Sequence, residues 1–336
     1  MSLLLIADIG GTNARLGVIE HHAGQNADTT LQRQAPKLEQ SLRCADYADP
    51  EALIRHYCNQ AGIDIPQYAC LAIAGPVENG MVKMTNHNWS FSAQSLTANL
   101  GMTRMELLND FAAQAHAVPH LRPEHTVCLY QADAAPLAPK AVLGPGTGFG
   151  AAAMVPTETG PKVLTGEGGH VNFAPGTERE IAILQYMLKR QAHVSLENLI
   201  SGQGLVKLYT SLAAIDGVVP ENYTPADVST KGMQGEDALC EEAMQIFCAV
   251  LGSAAGDKTL NYGALGGIYL AGGISPRIVD YLPKTDFLAR LQGKGPMHGY
   301  LRKIPVYVVT HGTAALLGSA AWIIHLRERD QQSPAQ

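Results

Sequence analysis

Apolar residues along this chain fall into short compact runs separated by glycine steps and by stretches of helical spacing. LLLIAD (3–8) and ARLGVIE (14–20) read as two strands, and further strands are expected at 69–74 (ACLAIA) and 105–108. PEALIRHYCNQA (50–61) has helical periodicity, with Pro50 suited to a first turn and Gly62 as its stop. The pattern then restarts. AVLGPGTGFGAAAMV (141–155) again reads strand, glycine turn, strand, and TEREIAILQYMLKRQ (177–191) reads as a helix. That helix is expected to open on a capping box of Thr177 and Glu180, with acids in its first turn and bases in its last. DALCEEAMQIFCAVLGSAAGDKTLNYG (237–263) has the spacing of a structural helix. GGIYLAGGI (266–274) and PVYVVT (305–310) are compact buried strands, and HGTAALLGSAAWIIHLRER (311–329) is a helix whose small residues suit close packing. Segments 21–32 and 213–236 lack periodicity and are expected to be surface loops, and the tail after Arg329 to be frayed.

Two halves that each begin strand, glycine turn, strand imply a duplicated α/β architecture with a ligand cleft between the halves. A length of 336 residues with 46% hydrophobic residues supports a substantial core. The net charge of −6, with no Lys/Arg block, argues against a nucleic-acid or anionic-membrane surface, so any bound phosphate must be held locally. The opening apolar run meets Asp8 too soon for a signal peptide. Near the C-terminus, the longest uncharged stretch, Thr313–Ile324, is shorter than the ~20 residues a membrane span needs, and no span is expected. Cys44, Cys58, Cys70, Cys128, Cys240 and Cys248 form no CxxC pair or Cys/His cluster. Free thiols in a reducing cytoplasm, without a zinc site, are the expectation.

The glycine steps carry the candidate chemistry. In ADIGGTNAR, Gly10 and Gly11 lack Cβ atoms, so the backbone can turn sharply and a ligand can approach its N–H groups, with Thr12 and Asn13 adding side-chain hydrogen-bonding groups. Asp8 beside a phosphate loop would repel its ligand unless a divalent cation lay between them; magnesium takes one or two carboxylates, often through water, plus phosphate oxygens. An ordinary hairpin is the competing reading of one such turn. LGPGTGFG (143–150), with Thr147 as hydroxyl donor, and LAGGI (270–274) repeat the device after apolar strands. Gly146, Gly148 and Ala151 fit a dinucleotide fingerprint, but Pro156 and Gly160 stop the helix which that fingerprint must open. GSAAGDKT (252–259) approaches a P-loop, yet Asp257 occupies the position of its second glycine and the segment lies within a helical pattern. LLNDFAAQA places Asn109 and Asp110 at a strand end, where they could face a ligand or cap the following helix. Glu167 and His170 in GEGGH, and Glu197, can exchange hydrogen bonds with hydroxyl groups or remain solvated surface residues.

DIGGTNARLGV, LAIAGPV, TNHNW, LLNDFAAQA, LGPGTGFG, GEGGH, ENLISGQGL, LAGGI and HGTAALLG occur in the order found in bacterial ATP-dependent glucokinases, and the chain resembles that family over nearly its whole length. The resemblance implies a duplicated ribonuclease H-like (actin-like ATPase) fold: a small domain of residues 1–115 completed by helix 311–329, and a large domain of 116–310. It further implies phosphorylation of the 6-hydroxyl of glucose by ATP in a homodimer, with Asp110 as general base and Asn109, Asp110, Glu167, His170 and Glu197 around the sugar. ATP would lie on Asp8, Ile9, Gly10, Gly11, Thr12, Asn13, Gly144, Gly146, Thr147 and Gly148, with its adenosine near Gly272 and Gly273, and magnesium held by Asp8 through water. Sugar binding is expected to rotate the domains together, excluding water as acceptor. The repressor-and-kinase branch carries a clustered-cysteine zinc motif that this sequence lacks. A kinase for another hexose or amino sugar, and a sugar-sensing regulator on the same fold, are the alternative readings. No role is assigned to His87 and Asn88, and Trp89 reads as a packing residue.

Overall fold

The computed structural model describes residues 1–84 and 87–332, apart from the side chain of residue 332. Thr85 and Asn86 of the TNHNW motif, and the last four residues of the tail, lie outside the described residues. Two compact units make up the chain, Met1–Arg122 with His311–Gln336, and Pro123–Thr310.

In the first unit, β1 (Ser2–Ile9), β2 (Asn13–His21), β3 (Lys37–Arg43), β4 (Tyr68–Ile73) and β8 (Arg104–Asn109) form a five-stranded sheet in the order β3-β2-β1-β4-β8. The β1, β2 and β3 pairings are antiparallel, and β4 and β8 join in parallel. A separate small sheet is built from β5 (Val77–Glu78), β6 (Met81–Lys83) and β7 (Ser90–Ser92). Alternation along β1 puts Leu5, Ala7 and Ile9 into one core, shared with Leu53, Ile54 and Tyr57 of α2 (Pro50–Ala61), Leu96 and Leu100 of α3 (Ala93–Leu100), and Trp89. On the other face, Ala72 of β4 meets Ala113 of α4 (Asp110–Ala117) and Ala315 of α11 (Ala314–Gln332). The α4–α11 contact is close because Gly318 has no side chain: a Cβ there would overlap the Ala113 carbonyl oxygen. Small residues in this helix do serve close packing. Segment 21–32, expected to be loop, contains the start of α1 (Ala27–Arg33), capped by Asn26, whose side chain accepts the Thr29 N–H.

The second unit repeats the sheet. Strands β9 (Thr126–Tyr130), β10 (Lys140–Pro145), β11 (Phe149–Val155), β12 (Lys162–Gly166), β13 (Ile268–Leu270) and β14 (Val306–Val309) take the order β12-β11-β10-β13-β14-β9. Again the first three pair antiparallel and the next two in parallel, with β9 added antiparallel at the edge. This recurrence, with the same sense at each step, is the duplicated ribonuclease H-like fold of actin-like ATPases.

Around this sheet lie α5 (Glu178–Leu188), α6 (Gly202–Ile215), α7 (Pro225–Gln234), α8 (Ala238–Tyr262), α9 (Phe287–Gln292) and α10 (His298–Leu301). By length and composition α8 could cross a membrane, but it is mostly buried and serves as the core helix of this unit. Three expectations are corrected here. Segment 213–236 holds the end of α6 and the whole of α7, which has a Thr224–Asp227 capping box and a left-handed Gly235 cap. At α5, Thr177 does accept the Glu180 N–H, but the Glu180 carboxylate accepts the Gly176 N–H and grips Arg290 instead of closing a box. That helix also ends at Leu188, leaving no base in its last turn, because Lys189 is already the C-cap.

Candidate active site

In the first unit the turn between β1 and β2 is closed by the Gly10 N–H donating to the Asn13 carbonyl at 2.9 Å. The Gly10 amide, expected to face a ligand, is therefore spent on the hairpin, and Gly11 and Thr12 form the outward part of the turn. Cys44 braces it from behind: its N–H donates to the Thr12 carbonyl at 2.9 Å, and its thiol to the Gly10 carbonyl at 3.4 Å. Asp8 pairs in register with Arg15 on β2 and Ala72 on β4, so it lies on the sheet face where α4 and α11 pack. Burial pushes its carboxyl up to about 6, with the Arg15 guanidinium opposing the rise. Arg15 in turn donates to the Gly312 carbonyl at 2.8 Å, just ahead of α11.

At the end of β8, Asn109 is the N-cap of α4. Its Oδ1 accepts from the N–H groups of Phe111 (2.9 Å) and Ala112 (3.3 Å), and its Nδ2 donates to the Gly75 carbonyl at 3.1 Å. The capping alternative thus belongs to Asn109, which keeps a second amide hydrogen for a ligand. Asp110 is the first helical residue, half-buried, with Oδ1 accepting from the Phe111 N–H at 2.9 Å.

In the second unit the β10–β11 turn is closed by the Gly146 N–H donating to the Gly148 carbonyl at 2.8 Å, so the Gly146 amide, like that of Gly10, is structural. The Gly146 carbonyl accepts the Gly202 N–H at 2.9 Å, joining the turn to the start of α6. LAGGI packs directly behind. Ala271 N–H donates to the Leu143 carbonyl and Ile274 N–H to the Pro145 carbonyl, and a Cβ on Gly144 would overlap the Ala271 carbonyl oxygen. Gly272 adopts φ +78°, a left-handed conformation suited to glycine, while the position of a Cβ on Gly273 is open space. The second and third glycine steps therefore form one continuous surface with room beside it.

GEGGH follows β12. The His170 N–H donates to the Glu167 carbonyl at 3.0 Å, and His170 Nε2 stands 3.9 Å from Glu167 Oε2, with both side chains exposed. Segment 194–197 runs alongside: Phe173 N–H donates to the Val194 carbonyl, Leu196 N–H to the Val171 carbonyl, and Glu197 N–H to the Gly169 carbonyl. The Glu197 carboxylate reaches the other way, Oε2 accepting the Phe149 N–H at 2.9 Å next to Gly148. Glu197 thus links the glycine turn to the loop carrying Glu167 and His170.

Sequence reading missed Cys44, Arg15 and Gly75. Each acts on a residue far away in the chain, and none lies in a local pattern that names its partner.

Asp8 fits a magnesium partner through the chemistry of its donor set. It is a half-buried carboxylate, made harder to ionise by burial, at the base of a glycine turn. No group of three or more His, Cys, Asp or Glu among the described residues could hold a metal, so an ion here would draw its other ligands from water and phosphate.

The family model described as Glucokinase matches residues 5–326. A glucokinase of Saccharophagus degradans is 39% identical over 322 residues, spanning 96% of this chain and 98% of the relative. One from Chromobacterium violaceum is 42% identical over 333 residues, spanning 98% and 92%. Among solved structures, a glucokinase from an Antarctic psychrotroph matches with a TM-score of 0.84 and 38% identity over 96% of this chain and 99% of that one. With the family pattern matched from Leu5 to Leu326, the chain belongs to the glucokinase family.

Proposed function

We propose that Asp110 accepts the proton of the glucose 6-hydroxyl as that oxygen attacks the γ-phosphorus of ATP. The chain is an ATP-dependent hexose kinase, producing glucose 6-phosphate and ADP. In the transfer, the bond between O6 and phosphorus forms, the bond from phosphorus to the β,γ-bridging oxygen breaks, and ADP leaves. Such chemistry asks for positioning and charge neutralisation more than covalent help.

The observation that carries the assignment is the division of labour at the head of α4. Asn109 supplies the cap, so the adjacent Asp110 carboxylate at the first helical position is not needed to start the helix. We assign Asn109, Glu167, His170 and Glu197 to the sugar hydroxyls. Polar groups that a bound sugar would cover, matched to its hydroxyl stereochemistry, reject sugars that leave them unpaired. The turns at Gly10–Asn13 and Gly144–Gly148 are assigned to the phosphates, and Gly272–Gly273 to the adenosine. Bound magnesium, held by Asp8 through water, would neutralise charge on the phosphate oxygens. The two compact units are read as the small and large domains, the enzyme as a homodimer, and its location as the cytoplasm, consistent with six free cysteines.

The test is a coupled assay of ATP-dependent phosphorylation over glucose, mannose, fructose and glucosamine, run with wild type and Asp110→Ala. Glucose should have the highest kcat/KM, and Asp110→Ala should fold, bind glucose and lose at least ~10²-fold in turnover. Near-normal turnover in the variant would remove Asp110 from this role, and preference for another sugar would change the substrate.

A further inference from the structure

Lys258, on α8, is only 7% exposed. It comes from the GSAAGDKT stretch, which is continuous helix here and not a glycine loop. A Cβ placed on Gly168 would meet Lys258 Nζ at 3.0 Å and Cε at 3.1 Å, so the ammonium lies against the backbone of the GEGGH loop. The same lysine lines a pocket of about 140 Å³ with Val171, Asn172, Leu196, Ser253 and Asn261, which places the pocket beneath the continuation of that loop. Its neighbour Asp257 is committed to Lys294 at 2.6 Å.

Lys258 Nζ is not among the polar side-chain atoms sealed from water without a partner, so a side chain that is otherwise buried keeps its charged end within reach of water, as a cation must. The adjoining pocket is large enough to hold bridging water, and its Asn and Ser side chains can anchor it. We propose that Lys258 is a positioning residue which, through water in this pocket, donates to the backbone around Gly168 and fixes the loop carrying Glu167 and His170. Gly168 is then glycine because the lysine and Ala151 occupy the space a side chain would need. The inference rests on the assignment of that loop to glucose.

Lys258→Met keeps the stem and its packing but removes the charge and the donors. Since it takes away a buried charge, its melting temperature should not fall. Expected are a roughly tenfold rise in KM for glucose, kcat changed by less than about twofold, an unchanged KM for ATP, and faster hydrogen exchange at the amides of 167–172. Lys258→Gln, which retains donors without charge, should fall between Met and wild type. His170→Ala serves as the control for the underlying assignment. If it raises KM for glucose while both Lys258 variants leave KM and loop exchange unchanged, the positioning role is overturned and the sugar assignment stands. An unchanged KM for glucose in His170→Ala would overturn the assignment and this inference with it. Equal rises in both KM values, or a lowered melting temperature in both Lys258 variants, would reduce Lys258 to general support and overturn the proposal.

Discussion

Glu197 accepts the Phe149 N–H through Oε2 at 2.9 Å, while its own N–H donates to the Gly169 carbonyl at the same distance. One residue therefore holds the β10–β11 hairpin with its side chain and the GEGGH loop with its backbone. Glu197→Ala should leave the Phe149 amide unsatisfied, lowering stability by about 1–3 kcal/mol and raising KM for both ATP and glucose. Glu197→Gln keeps an acceptor oxygen and should spare stability and the KM for ATP while weakening glucose binding. Thermal melts and steady-state kinetics of the two variants check this, and an unaltered KM for ATP in Glu197→Ala would show that the hairpin does not depend on this brace.

Asn109 has two separable duties, so its substitutions should split. Asn109→Ala removes both the cap of α4 and the bond to Gly75, costing about 1 kcal/mol or somewhat more. Asn109→Asp keeps the capping oxygen but sets a carboxylate against the Gly75 carbonyl, which needs a donor. The cap should survive and glucose affinity should fall in Asn109→Asp, whereas both should fall in Asn109→Ala. Urea unfolding and glucose titration measure the two effects independently, and equal losses of stability would refute the split.

The strands that deliver the glycine turns are legible because they are buried apolar runs, and Asp8 stands out at the end of one of them. Other elements are hidden for identifiable reasons. In β3, KLEQSLR carries almost no buried side chain and is held by its ladder to β2, so no apolar period marks it; yet it delivers Cys44 to the first turn. Helix α7 buries only Val228 and Gly232, too little for an apolar stripe, although its signals at Thr224, Pro225, Asp227 and Gly235 are all present in the sequence. Glu180 shows the opposite failure: a correct local signal was overridden by Arg290, 110 positions away. The residues assigned here to the chemistry are readable as types and order. The braces behind them are long-range contacts and were not.

His116 predicts an acid-labile first unit. Its ring is 5% exposed and lies 4.6 Å from that of Trp322, and burial, followed by the nearby His325 and His120, lowers its pKa to about 4. His120 itself pairs with Asp28 at 2.9 Å. In the unfolded chain a histidine titrates near ~6.5. Between these values the unfolded state binds the extra proton, so stability is fully present above ~6.5 and is lost as pH falls toward 4, by up to about 3 kcal/mol from this residue. His116→Phe keeps the aromatic packing and should flatten that decline. Urea midpoints at pH 7 and pH 5 would show it, and an identical decline in wild type and variant would rule the residue out.

Asp8 runs with the opposite sign. Its folded pKa, raised to about 6 by burial, exceeds the unfolded value of 3.8, so the folded state holds the extra proton in between and stability falls as pH rises through this window. Above pH 6 the enzyme carries an ionised, partly buried carboxylate whose cost is at most about 3 kcal/mol, reduced by its residual exposure. Asp8→Asn should therefore raise the melting temperature by a few degrees at pH 7.5 and by less at pH 5. Turnover should fall at least roughly tenfold, because a neutral amide holds the water of a magnesium ion less well. Wild type should also gain more stability from MgATP at pH 7.5 than at pH 5, where protonation competes with the ion, and the variant should lose that pH dependence. Equal MgATP stabilisation at both pH values in wild type would mean that the Asp8 carboxylate does not face the metal.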